Sequence, residues 1–125
     1  MNTVISTSKA PGAMGPYSQA ICTGSRLYIS GQLGIDPATG DMPADFSAQA
    51  HLVMKNLGHV LAEAGFTFGD VVKTTIFLDD LANFTTLNEI YGSYLAEKKP
   101  ARSCFQVAAL PKGGKVEIEL IAEKG

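Results

Sequence analysis

Pro100-Ala101-Arg102-Ser103-Cys104-Phe105-Gln106-Val107, followed a little later by Lys115-Val116-Glu117-Ile118-Glu119, is the stretch on which the chain turns. It reads as two strands near the C-terminus. From Ser103 the side chains alternate, with Phe105, Val107 and Ala109 on one face and Cys104, Gln106 and Ala108 on the other. Pro100 marks the opening of the first strand, because it has no N–H to donate to an inner ladder. Arg102 is thereby held near a strand end, where a guanidinium reaches into a cleft. The second strand sets Val116, Ile118 and Leu120 against Glu117 and Glu119. These three charged residues are the best chemical material in the sequence. Each also has a plain structural reading: Arg102 as a surface or interface ion-pair partner, the two glutamates as the solvated face of an edge strand. A planar guanidinium suits a carboxylate or phosphate held bidentately. A hydrogen bond to a charged group contributes about 1.5–3 kcal/mol, enough to orient a small anion without identifying it.

The spacing sets a constraint. In a tight hairpin about Lys112-Gly113, Glu117 would face Ala108, and Arg102 would lie roughly 20 Å away at about 3.3 Å per residue. Arg102 and Glu117 then share a site only across a subunit boundary, or else the two strands are not neighbours.

Upstream, Val4-Ile5-Ser6 reads as a short strand, and Pro11-Gly12-Ala13-Met14-Gly15-Pro16 breaks regular structure twice. That loop delivers Tyr17, whose hydroxyl donates or accepts. Gln19–Cys22 and Arg26–Ser30 read as strands joined by a glycine-bearing turn, Thr23-Gly24-Ser25. Gly31 follows at once and marks a bulge or a close approach to the backbone, or simply a flexible strand end. Ile35–Gly40 is a loop. Phe46, Ala50, Val53, Met54, Leu57, Val60, Leu61 and Ala64 then recur at three and four residues, the stripe of a helix that Gly65 stops. Val71–Leu78 is β-branched and reads as a long central strand. A second helix spans roughly Asn83 to Ala96, with Asn83 as its cap and Lys98-Lys99-Pro100 at its close. The order β, β, β, α, β, α, β, β predicts an α+β fold, two helices packed on one face of a mixed sheet.

Composition narrows the function. The 125 residues suggest one domain, 1–125, able to bury somewhat less than about 70% of its unfolded surface. Charged residues are 18% and hydrophobic ones 46%; few charges for so small a chain suggest further burial in an oligomer, or a core-rich monomer. A net charge of −2 with no basic stripe disfavours nucleic acid. The N-terminus lacks the pattern of a signal peptide, and no apolar run spans a bilayer, so no membrane partner is expected. Two cysteines, Cys22 and Cys104, fit a reduced cytoplasmic protein. Cys104 has no local histidine base and reads as buried and inert. His51 and His59 stand roughly 12 Å apart along a helix, too far to share a metal. No metal-ligand spacing, phosphate loop or nucleotide fingerprint is present.

Gly15-Pro16-Tyr17-Ser18-Gln19-Ala20, Ile29-Ser30-Gly31-Gln32, Val72-Lys73-Thr74-Thr75 and Pro100-Ala101-Arg102-Ser103-Cys104 together resemble the RidA/YjgF family (reactive-intermediate deaminase A). The tail Val107–Lys112 followed by Val116–Glu119 completes a likeness that covers nearly the whole chain. The resemblance implies a chorismate-mutase-like fold, a homotrimer with a cleft at each subunit interface, and last strands that do not pair with each other. It implies hydrolysis of reactive 2-imino acids and their enamines (2-aminoacrylate/2-iminopropanoate, 2-iminobutanoate) to 2-keto acids and ammonia, with no metal or organic cofactor. Such intermediates leak from pyridoxal-phosphate dehydratases acting on serine and threonine. Carried over, Arg102 grips the substrate carboxylate and the Cys104 backbone adds a donor. The Gly31 carbonyl holds the substrate nitrogen. Glu117 positions and polarises water, while Tyr17 and Ser30 line the site and assist proton movement. Asn88 and Phe84 complete the wall. Lys99 departs from the aromatic or small residue often found there, and either alters the cleft mouth or caps a solvated helix end. Two other functions compete: a non-catalytic trimer that binds small 2-keto acids, and a chaperone-like protein using apolar trimer surfaces.

Overall fold

The computed structural model describes residues 2–95 and 97–125. In chain order the elements are β1 (Asn2–Ile5), β2 (Ala20–Thr23), β3 (Arg26–Leu33), α1 (Phe46–Glu63), β4 (Val71–Leu78), α2 (Phe84–Tyr94), β5 (Ala101–Gln106) and β6 (Val116–Glu123). The expected order of strands and helices holds. Short 3-10 turns at Phe68–Asp70, Leu81–Asn83 and Pro111–Gly113 link them.

All six strands join one mixed sheet in the order β1-β2-β3-β6-β4-β5. Every pairing is antiparallel except β4 with β5, which α2 connects as a parallel crossover. Val116, Ile118, Leu120 and Ala122 alternate from β6 into the core, where they meet Leu27 and Ile29 of β3 and Ile76 and Leu78 of β4. The apolar stripe of α1 covers them: Phe46, Ala50, Val53, Met54, Leu57, Val60 and Leu61 are buried. Asp45 caps α1 by accepting from Ala48 N, and Gly65 ends it at φ 80°. The other face of the sheet carries Tyr28, Lys73, Thr75, Glu119 and Ile121, and no helix lies over it among the described residues.

The structure alters three expectations. The strand read as 103–109 is Ala101–Gln106, and Phe105 is 53% exposed. It is an edge strand, and among the described residues no second layer covers the face that carries Phe105. Helix α2 stops at Tyr94, where Leu95 turns extended; the anticipated end at Ala96 lies outside the described residues. Asn83 makes no side-chain cap. Instead Asp80 accepts from Ala82 N and caps the 3-10 turn that leads into α2. Lys99, five residues past the end of α2, is exposed, and its ammonium donates to the Leu95 carbonyl at 3.4 Å.

Candidate active site

Strand β3 is regular up to Ile29, paired with Leu120, and regular again from Gln32, paired with Ile118. Between them two residues oppose one, so Ser30 and Gly31 form a bulge. The bulge shifts the phase, and Gln32 rather than Gly31 turns to the core. Ser30 is fixed there: its N–H donates to the Gln19 carbonyl at 2.9 Å and its hydroxyl to the Ser18 carbonyl at 2.7 Å.

Glu117 lies across this bulge. A Cβ on Gly31 would stand 2.6 Å from Glu117 Oε2 and 2.9 Å from its Cδ, so only glycine leaves room for the carboxylate. Both alternatives drawn from sequence for Gly31, the bulge and the close approach, are met at once. Burial raises the Glu117 carboxyl above the usual carboxylate range, and the neighbouring Glu119 adds to the rise. Glu117, Ser30, Gly31 and Tyr17 line one cavity of about 460 Å³, walled otherwise mainly by Pro11, Met14, Leu33 and Ile35.

Arg102 is elsewhere. It sits near the start of β5, level with Thr74 of β4, whose hydroxyl bonds Tyr91 of α2 at 2.8 Å. Its guanidinium donates to Asn88 Oδ1 at 2.7 Å and lies 5.3 Å and 5.4 Å from the ring centroids of Phe84 and Tyr91. Cation–π contacts of this kind contribute about 0.5–2 kcal/mol each, and they hold the fork still while most of its N–H groups stay uncommitted. β5 is an edge strand. Val107 N–H donates to the Leu78 carbonyl; by ladder alternation, Cys104 N–H points to the open edge, where a ligand can meet it. Burial raises the Cys104 thiol, against a smaller opposing pull from Arg102, so the side chain is a poor nucleophile at neutral pH.

The predicted residues therefore form two groups. Tyr17, Ser30, Gly31 and Glu117 share the cavity; Arg102, Asn88, Phe84 and the Cys104 backbone share the β5 edge. β4 lies between β5 and β6, so no hairpin forms. Yet Arg102 is level with Leu120, three residues and two strand spacings from Glu117, roughly 14 Å between Cα atoms. Arg102 shares the helix-covered face with Thr74, whereas Glu117 points to the other. Within one chain they do not meet.

Two residues gain importance that sequence did not assign them. Gln19, 4% exposed, donates to the carbonyls of Thr7, Ala10 and Pro11 and accepts from Thr7 N, pinning the loop that carries Tyr17. It stood inside a recognised motif, but nothing in spacing distinguishes a loop staple from an ordinary strand residue. The other is Lys112, on the cavity rim. Among the described residues, no three His, Cys, Asp or Glu side chains gather as a metal site. His51 and His59 are exposed and bond Tyr94 Oη and the Lys9 carbonyl separately.

These features define an α+β protein with a half-buried carboxylate beside a small cavity and, apart from it, a fixed cation at a sheet edge. The family model described as Endoribonuclease L-PSP matches residues 7–124, and the chain belongs to that family, the RidA/YjgF family. A human relative named 2-iminobutanoate/2-iminopropanoate deaminase is 51% identical over 123 residues, covering 98% of this chain and 90% of its own. RidA from an Antarctic Psychrobacter superposes with a TM-score of 0.95 at 49% identity, over 98% of this chain and 99% of that one. Escherichia coli TdcF, solved with bound serine, gives 0.95 at 44% over the same shares.

Proposed function

We propose that this chain is a hydrolytic deaminase of reactive 2-imino acids and their enamines, 2-iminopropanoate and 2-iminobutanoate among them. Relatives about half identical over nearly their whole length bear that activity in their names. The observation that carries the mechanism is the Glu117 carboxylate laid over the Gly31 bulge, burial-raised and facing the cavity.

An imine carbon is already electrophilic when its nitrogen is protonated, so catalysis asks mainly for orientation, one water and a proton path. Arg102 holds the substrate carboxylate through its fork, with Cys104 N–H as a further donor. The Gly31 carbonyl accepts from the substrate nitrogen. Glu117 takes a proton from water as the C–O bond forms, then returns it to nitrogen as the C–N bond breaks. Ammonia leaves, and loss of the hydroxyl proton completes the 2-keto acid. An enamine first gains a proton at its β-carbon. Tyr17 and Ser30 line the path those protons take.

Because Arg102 and Glu117 are held apart within a chain, the working site combines one subunit's Glu117 cavity with a neighbour's Arg102 edge in a homotrimer. Support comes from the uncovered sheet face and from exposed Phe84 and Phe105 at the open β5 edge. In this reading residues 1–125 form one domain, working in the cytoplasm, where the free thiols Cys22 and Cys104 stay reduced. The family description names an endoribonuclease, but a chain of net charge −2 with no basic stripe offers little to an RNA backbone.

The test is release of keto acid and ammonia from 2-aminoacrylate generated in situ by a dehydratase. Wild type should accelerate it over buffer. Arg102→Lys keeps the charge and loses the fork, and should lower kcat/KM by roughly 10–100-fold. Failure of folded wild type across a range of imino acids would sink the deaminase reading in favour of a keto-acid-binding trimer.

A further inference from the structure

Lys112 is the one non-glycine residue in the left-handed region among the described residues, at φ 58° and ψ 22°. Lysine is strained there, and asparagine or glycine is not. The turn that imposes this conformation is tied at both ends. Gly113 N donates to the Leu110 carbonyl, Gly114 N to the Pro111 carbonyl, and Lys115 N to the buried Gln49 side chain at 2.9 Å. Gly114 packs so closely on Leu33 that a Cβ would come within 2.9 Å of its Cδ2. Strain that persists in an over-determined turn concentrates where the side chain is used.

The cavity beside it supplies the use. Among the described residues Lys112 is the only cation lining the cavity that holds Glu117, and Glu117 is the only acid. Lys112 forms no ion pair or hydrogen bond through its ammonium among the described residues. Glu117 and Lys112 form no ion pair with each other among the described residues, so the two charges are not paired off.

We infer that Lys112 is a specificity-determining residue: its ammonium at the cavity rim selects and steers substrates that carry a carboxylate. This deepens the deaminase reading and rests on it. Arg102 grips the anion once seated, whereas Lys112 acts on its approach, through a field that salt screens.

The experiment measures calorimetric binding of 2-ketobutyrate and of its neutral methyl ester to wild type, Lys112→Asn and Lys112→Arg. Asparagine suits the backbone, so that variant should melt no lower than wild type. At low salt it should bind 2-ketobutyrate about fivefold to tenfold more weakly, with the ester unchanged. The gap should close as ionic strength rises from about 0.01 M to about 1 M. Lys112→Arg should restore the affinity. In deaminase assays the Asn variant should raise KM and leave kcat within about twofold. Equal affinity of wild type and Lys112→Asn for 2-ketobutyrate overturns the role of Lys112 alone. No binding by folded wild type overturns both this role and the reading beneath it.

Discussion

Glu117 owes its chemistry to a neighbour with no side chain. Its carboxylate occupies the space a Cβ on Gly31 would need, so Gly31→Ala should push the far end of a flexible side chain aside. Such a variant should fold with nearly normal stability yet lose most of its kcat, which steady-state kinetics beside a melting curve would register. Protonation gives a second prediction. The folded-state pKa of Glu117 is raised, so the folded chain holds this proton more tightly than the unfolded chain does. Stability from this group is therefore lost as pH rises through the window between its unfolded and folded values. Glu117→Gln should raise Tm at neutral pH, and that gain should vanish below the usual carboxylate range. The base must be ionised, so the acid limb of the wild-type kcat/KM profile should fall above that same range. A limb at an ordinary carboxylate pKa would remove Glu117 as the base.

At the scale of elements, the cavity depends on how a loop without regular structure is held. Residues 7–18 meet the sheet through the Gln19 amide and meet α1 through His59 Nδ1 on the Lys9 carbonyl. Of these carbonyls that of Ala10 is buried, and leaving such a group unpaired costs roughly 1–3 kcal/mol. Gln19→Met keeps the volume and removes the bonds. It should lower kcat/KM by about tenfold or more at temperatures well below melting, by an amount that outruns its loss of stability. Val53→Ala, which trims the core face of α1, should lose stability and keep its kcat/KM. If the two variants behave alike, Gln19 is structural only. β5 carries a similar lesson: its alternation was legible, but the presence or absence of a covering layer was not, because period two states which residues share a face and not what that face meets.

The whole molecule raises the question of which chains build a site. Arg102→Ala and Glu117→Gln should each be inactive alone. In the proposed trimer, refolding the two together in equal amounts makes three quarters of random assemblies mixed, each with one intact interface of three, so about a quarter of wild-type activity should return. A site built within one chain returns none. The hairpin constraint in the sequence had already raised this issue: the two residues meet across a boundary, or their strands are not neighbours. The structure separates the strands with β4 and still keeps Arg102 and Glu117 on opposite faces.

The sequence by itself determined the element order, the α1 stripe, the core face of β6 and the family, because hydrophobic period, glycine and proline positions and motif spacing are local and survive without a partner. It also named Arg102 and Glu117. Tertiary structure alone decided the strand order that parts them, the bulge that turns Gly31 toward the carboxylate, the Gln19 staple and the backbone that holds Lys112 at positive φ. Each of these depends on which distant segments become neighbours, and that is settled by the packing of the whole core rather than by any stretch of chain.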